Sequence, residues 1–342
     1  MTMKKKILIL WMMVMGATAF AQDPEFTQYY AAPLYLNPGF AGTASDHRFI
    51  LNYRNQWPNI SNSFITTAFS YDYNMHHLNS GVGILITDDK AGSAGLRSTT
   101  LNFQYAYKVH FNNKIVVSTG LNFGGGFRNI DFSRLVFGDQ LQFDTDGESP
   151  PSDDPVLRSA GQSAYFDFGA GVLAYSKKFW LGFSSSHINR PNRSLLNGEA
   201  EIPTKITFHG GVRLPLYTGP IKKERVAAIM PSFVYKSQGN FDQLDLGTYF
   251  LYEPVVVGVW YRGIPVKQNV RDNISQDAVV VMLGFQLQKI ELIYSYDFTV
   301  SELGPISGGA HEIALKYKLD FASHNKTKKR ERFIPCPTFM KD

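Results

Sequence analysis

The sequence predicts an all-β fold: an antiparallel transmembrane β-barrel of about fourteen strands, with an N-terminal periplasmic plug segment and a basic C-terminal periplasmic tail. Three observations carry that expectation. Side chains alternate apolar and polar through one segment after another, and long connections take turns with tight ones. Charged residues make up only 18% of a chain that is 44% hydrophobic and 14% aromatic. Soluble proteins carry about 25% charged residues. A barrel reconciles this low charge with a mean hydropathy of −0.17, because each strand turns an apolar row to lipid and hides a polar row inside. No run in the mature chain is long enough for a spanning helix, which excludes a helical membrane protein.

The first element is an expected signal peptide, residues 1–21. Lys4, Lys5 and Lys6 form its positive end, Ile7 to Met15 its apolar stretch and Ala19-Phe20-Ala21 an A-x-A cleavage site. The mature chain is then expected to begin near Gln22. The sole cysteine is Cys336, so neither a lipoprotein anchor at the new terminus nor an internal disulfide is available. Residues 22–46 come next, rich in aromatics and turn residues. They hold too many aromatics for a floppy leader and too many prolines for a strand, so a folded plug is expected there.

Residues 47–321 form the expected barrel. Ile313, Leu315, Tyr317, Leu319 and Phe321 share one face while Ala314, Lys316, Lys318 and Asp320 share the other, and a period of two means an extended strand. The same alternation runs through Ile65–Tyr73, Leu101–Phe111 and Ile290–Phe298. Strands are expected to start near residues 47, 64, 79, 96, 114, 162, 178, 205, 225, 241, 254, 276, 288 and 309. Connections after even strands are mostly tight. Those after odd strands, at 57–63, 88–95, 125–160, 189–204, 263–275 and 299–308, are longer, with Gln238–Asn240 the exception. Short periplasmic turns and long outer loops give this parity, and an even count places both termini in the periplasm of an outer-membrane protein. Pro231 falls inside the ninth strand, where a bulge is expected. Gly169, Gly171, Gly210 and Gly211 are expected to face the lumen or bend the wall.

Residues 322–342 are the expected tail. Without the three N-terminal lysines the formal charge of +5 becomes +2; the tail carries +4, leaving the rest at −2. The basic balance is therefore local and gives no ground for nucleic-acid binding.

No catalytic, cofactor or metal motif emerges. Asp144, Asp146, Glu148, Asp153 and Asp154 crowd one long loop, but no bidentate Glu completes a calcium spacing. His76 and His77 are adjacent in a turn rather than spaced as ligands. Ser185 and His187 suggest a hydrolytic pair on one strand face, without an orienting carboxylate at useful spacing, so lining residues are the plainer reading. The chain is expected to be no enzyme.

A resemblance enters at the two ends. Asp23, Pro24, Phe26, Gln28 and Tyr29, followed by Asn37, Pro38, Phe40, Ala41 and Gly42, give D-P-x-[FY]-[ST]-Q-[YF] and then L-N-P-x-[FY]-A-G. This pattern resembles the start of the PorP/SprF family of the Bacteroidota type IX secretion and gliding system. Asn52 to Trp57 is similar to the family's first strand, and Ile334-Pro335-Cys336-Pro337-Thr338-Phe339 to its ending. Gly39 departs from the Ala expected after Asn-Pro. The resemblance implies association with the periplasmic ring and peptidoglycan-linked components of the machinery, or retention of a secreted adhesin by its C-terminal domain at the cell surface. Arg330, Arg332, Phe333, Ile334, Pro335, Cys336, Pro337 and Phe339 are the candidate partner contacts in the tail, with lipid around the barrel. A plugged transporter for a small hydrophobic or polar solute is the alternative.

Overall fold

The computed structural model describes residues 23–319, except 45, 61–62, 93–94, 112–113, 132–135, 137, 141–151, 154–161, 196–197, 217–226, 269–273 and 301–303. The signal peptide, the acidic residues Asp144–Glu148 and Asp154, and the tail residues Arg330 to Phe339 lie outside the described residues.

Strands run β1 His47–Gln56, β2 Phe64–Met75, β3 Ser80–Ala91, β4 Leu96–Phe111, β5 Ile115–Asn129, β6 Ser163–Tyr175, β7 Phe179–Ser186 and β8 Lys205–Val212. They continue β9 Leu214–Leu216, β10 Ala227–Gln238, β11 Phe241–Tyr252, β12 Val255–Gln268, β13 Ile274–Leu287, β14 Ile290–Thr299 and β15 Ala310–Leu319. All belong to one 15-stranded sheet, closed where β10 meets β11. β9 continues the line of β8 against β10, so the wall is a closed antiparallel barrel of 14 staves with one extra short strand.

Alternation decides which row faces where. On β15, Ile313 and Leu315 are 44% and 43% exposed while Glu312 and Lys316 are 0% and 2% exposed. Charges lie inside and aliphatics outside, the reverse of a soluble protein, because the outer surface meets lipid. β1 repeats the rule, with Arg48, Asn52 and Arg54 buried and Leu51 and Tyr53 exposed.

One sector departs from it. Met230, Tyr249, Leu251, Val256, Trp260, Val280 and Met282 point inward on β10 to β13 and are buried. The expectation of a polar inner row fails there, since these side chains pack together as a dry core.

Other expectations are corrected in detail. Pro231 causes no bulge, and β10 keeps continuous register with β11 through Pro231↔Thr248. On its other side β8 ends at Val212 and β9 begins at Leu214, so the missing donor falls beside a break between two strands. The register shifts occur instead at Arg262/Gly263 and Ile264/Gln268. Gly210 lies in the outward row, beside Leu181 and Phe233. Residues assigned to loops at 88–91, 125–129, 263–268 and 274–275 are strand. Asp88 and Asp89 look like loop residues by charge, yet they pair in the ladder with Thr99 and Ser98. The short exception is a two-residue link at Gly239 and Asn240, with Gly239 at φ +59°.

An eight-stranded barrel is just filled by its own side chains, and a wider one is not. Here the remaining space holds residues 23–44. This segment makes short helical turns at Tyr29–Ala31, Pro33–Leu36 and Pro38–Phe40. It shares one buried cluster with the inward residues of the wall.

Candidate functional site

The site is the contact between this segment and the wall, where wall side chains hold both main-chain and side-chain groups of the segment. Asp23 N donates to Gln238 Oε1 at 3.2 Å, and its carboxylate is held by His187 Nε2 at 2.8 Å and Lys205 Nζ at 2.9 Å. Burial opposes ionisation of Asp23, but Lys205 and His187 hold it well below the usual carboxylate range. The Pro24 carbonyl accepts from the Tyr35 hydroxyl, and Phe26 meets the Tyr35 ring edge-on at 5.1 Å. Glu25 lies 3.0 Å from Lys236 Nζ. Burial would raise its carboxyl, yet Lys236 and Arg262 bring it to about 2.

Thr27 and Gln28 enter a cluster of buried charges. Thr27 N donates to Glu312 Oε2 at 2.6 Å and its hydroxyl to Asp297 Oδ2 at 2.7 Å. The same hydroxyl accepts from Arg54 and from Arg262 Nη2, the latter at 2.8 Å. Gln28 N donates to Glu312 Oε1 at 3.1 Å, and its amide reaches Ser295 at 3.0 Å. Around them Arg54 pairs with Asp297 and Glu312, and Arg262 with Asp297 and Asp245. Charges this deep persist only when paired and hydrogen-bonded. Tyr29 closes the cluster, donating to Asp245 at 2.6 Å beneath the Lys236 ammonium. Burial and Asp245 push its hydroxyl well up, so it remains a donor.

Lower in the lumen the second motif docks. Asn37 Nδ2 donates to the carbonyls of Val172 and Phe183, both at 3.1 Å, while its Oδ1 accepts from Gly39 N at 2.8 Å. Pro38 passes so close to β5 that a Cβ at Gly120 would collide with its carbonyl. A Cβ on Gly39 would sit 3.0–3.1 Å from Asn37, Leu173 and Ser118, so an alanine here would need those neighbours to yield by a few tenths of an ångström. Phe40 stacks on His209 at 5.4 Å, and its carbonyl accepts from Arg48 at 3.1 Å. Gly42 has φ +65° and donates to Asp72 at 2.9 Å; its left-handed backbone excludes a side chain. Arg48 grips Asp72 through two bonds of 2.7 and 3.1 Å.

Asp23, Pro24, Phe26, Gln28, Asn37, Pro38, Phe40 and Gly42 are thus brought together inside their own chain, Asp23, Gln28, Asn37, Phe40 and Gly42 bonded to or stacked on the wall and Pro24 and Phe26 held by Tyr35 of the segment. The segment also has a direction. Asp23 is bound at Gln238, His187 and Lys205, beside the long-loop mouth, while Ala44 is bound by Asn74 beside the tight turns. Leu319 pairs with His47 at the tight-turn mouth. The two described ends of the chain, Asp23 and Leu319, therefore stand at opposite mouths.

His187 follows β7 rather than lying on it, with φ +56°. Its ring bonds Asp167 at 2.9 Å and Asp23 at 2.8 Å and makes no bond to Ser185. Burial favours its neutral form, but Asp23 and Asp167 raise it to about 9. His76 bonds Asp46 at 2.9 Å; among the described residues no group of three or more His, Cys, Asp or Glu could hold a metal. The wall residues Arg54, Asp245, Arg262, Asp297 and Glu312 were not singled out from the sequence. Their signal is a charge in the polar row of an alternating strand, too long a distance from its partner to pair by spacing.

A family model described as "Type IX secretion system membrane protein PorP/SprF" matches residues 18–317. No curated protein matches the chain. Among solved structures, the Pseudomonas putida toluene transporter TodX is similar at 11% identity and TM-score 0.47, over 84% of this chain and 93% of that one. The Acinetobacter baumannii outer membrane protein Omp33 is similar at 7% identity and TM-score 0.40, over 80% and 99%. The CymD monoaromatic hydrocarbon channel stands at 13% identity and TM-score 0.44, over 86% and 94%. Those values carry neither substrate nor mechanism across.

Proposed function

Because the chain belongs to the PorP/SprF family of type IX secretion system membrane proteins, we propose that it is a non-enzymatic outer-membrane barrel that binds partners of that machinery. The partners are the periplasmic ring and peptidoglycan-linked components, the C-terminal domain of a secreted adhesin, or both. One observation favours this over solute transport. Residues 23–44 run from one mouth to the other and are buried against the wall for most of that length. A barrel plugged in this way suits a scaffold, whereas a transporter of small solutes needs the segment to leave.

In this reading the tight-turn mouth faces the periplasm and carries the tail. Arg330 and Arg332 steer an acidic partner, while Phe333, Ile334 and Phe339 supply apolar contacts, with Pro335 and Pro337 keeping the chain extended. Truncation after Phe321 tests it. The expected result is a folded, heat-modifiable barrel that no longer co-purifies ring components or delivers the adhesin. Unchanged partner recovery and full secretion would overturn the role of the tail.

A further inference from the structure

The outward face of the wall carries a dent over β3. Its outward residues Val82 and Ile84 are branched aliphatics, half-buried between larger rings on the neighbouring strands. Ile84 pairs with Tyr71 of β2 on one side and with Phe103 of β4 on the other. Val82 pairs with Tyr105, and Phe103 in turn with Phe123 of β5. These six side chains line an open groove of about 330 Å3.

The groove has a definite height in the membrane. β4 turns Leu101, Phe103, Tyr105, Tyr107, Val109 and Phe111 outward, and all are exposed. Ten residues of tilted strand rise about 25 Å, the height of the apolar band of an outer-membrane barrel. Phe103 and Tyr105 therefore lie in the half of the band nearer the long-loop mouth. Arg97 stands about 10 Å beyond the edge of the band, at the level of lipid headgroups. There the outward row changes character. Lys90 pairs across the ladder with Arg97, so two cations stand side by side on the strands that form the groove. Arg97 Nε donates to Asp88 at 2.7 Å, and the side chain remains 59% exposed. Asp89 faces the lumen instead, where it accepts from Thr66. One outward carboxylate against two cations leaves a net positive patch.

Patch and groove together select an occupant. Lysine and arginine at a membrane surface attract anionic lipid, and the arginine fork matches a phosphate. The groove is narrow: Tyr71 and Phe103 stand two strand spacings apart, about 10 Å between backbones, and their rings close part of that gap. A helix with its side chains measures about 10–12 Å across and does not enter, whereas a single acyl chain does.

We propose that this face holds an outer-leaflet lipid, with one acyl chain in the groove and a headgroup phosphate on Lys90 and Arg97. The leaflet follows from the reading that the long loops face outward. The test uses the full-length protein in mild detergent and native mass spectrometry, with lipid A and dephosphorylated lipid A, which share their acyl chains, as probes. Lipid A should be retained roughly tenfold better than the dephosphorylated form. The double variant Lys90→Gln, Arg97→Gln should erase that preference, and Ile84→Trp, which fills the groove, should lower retention of both forms. Heat-modifiability checks that the variants fold; should Ile84→Trp fail to fold, Val82→Phe takes its place. Equal retention of the two forms, a double variant that keeps the preference, or a folded groove variant that retains lipid as before would each overturn the proposal. Loss of a co-purified membrane protein from the groove variant, with lipid retention unchanged, would overturn it in favour of a protein occupant. Sidedness and adhesin delivery have their own readouts, so the proposed orientation and secretion role stand or fall independently.

Discussion

Thr27 is a small side chain with four charged neighbours. Its hydroxyl lies between Asp297, Arg54 and Arg262, and its amide faces Glu312. Thr27→Val keeps the volume and removes the hydroxyl, leaving charged groups short of a partner. The expected loss is about 1–3 kcal/mol, read as a lower midpoint of the heat-modifiable transition. His187 gives a pH signature. With a value raised to about 9 in the folded protein, it contributes stability that is fully present below its unfolded value of about 6.5 and is lost as pH rises through about 9. The contribution is on the order of 3 kcal/mol. The unfolding midpoint should fall between pH 7 and 9.5, and His187→Gln should flatten that slope. An equally steep slope in the variant would rule out His187 as its source. These roles were only partly legible in the sequence. Asp23 and Gln28 stood out through a motif, whereas His187 faces Asp23 only because the chain closes a ring between them.

At the scale of the element, the N-terminal segment is held by the wall more than by itself. Its helical turns span three to four residues each, too short to be stable alone. Deleting residues 23–42 takes the Phe40 carbonyl from Arg48 and the Thr27 hydroxyl from Arg54 and Arg262, leaving only their wall carboxylates. The protein should then conduct strongly in planar bilayers, or fail to show heat-modifiability at all. A folded deletion variant that conducts no better than the intact protein would deny the segment a blocking role. Gly120→Val is a milder probe, since its side chain would enter the space of the Pro38 carbonyl. It should lower the thermal midpoint and raise protease sensitivity of the segment while the barrel persists.

At the scale of the whole molecule, parity predicts sidedness. Asn240 and Lys177 are exposed at opposite mouths. Cysteines placed there should label differently on intact cells, Asn240→Cys readily and Lys177→Cys only after the outer membrane is opened. Equal labelling would sink the orientation. Because Asp23 is anchored at the Asn240 end, an epitope inserted just before it should be detected from outside, whereas one after Leu319 should not.

Strand count, strand starts and the face of most side chains followed from the sequence alone, because a period of two is a local property of an extended chain. The charged loops shortened by pairing were harder to place, since ladder bonds form across strands and leave no trace in composition. The inward apolar sector was hidden for a related reason. In Val255 to Trp260 and Val279 to Leu283 both rows are apolar or nearly so, and alternation cannot tell lipid from core when the two faces match. The path of residues 23–44 was decided by closure of the ring. Their partners lie as far as 285 residues away in sequence, and no spacing rule joins Thr27 to Glu312 until the first and last strands pair. Sequence fixes what each strand can bury; only the closed wall determines what stands opposite it.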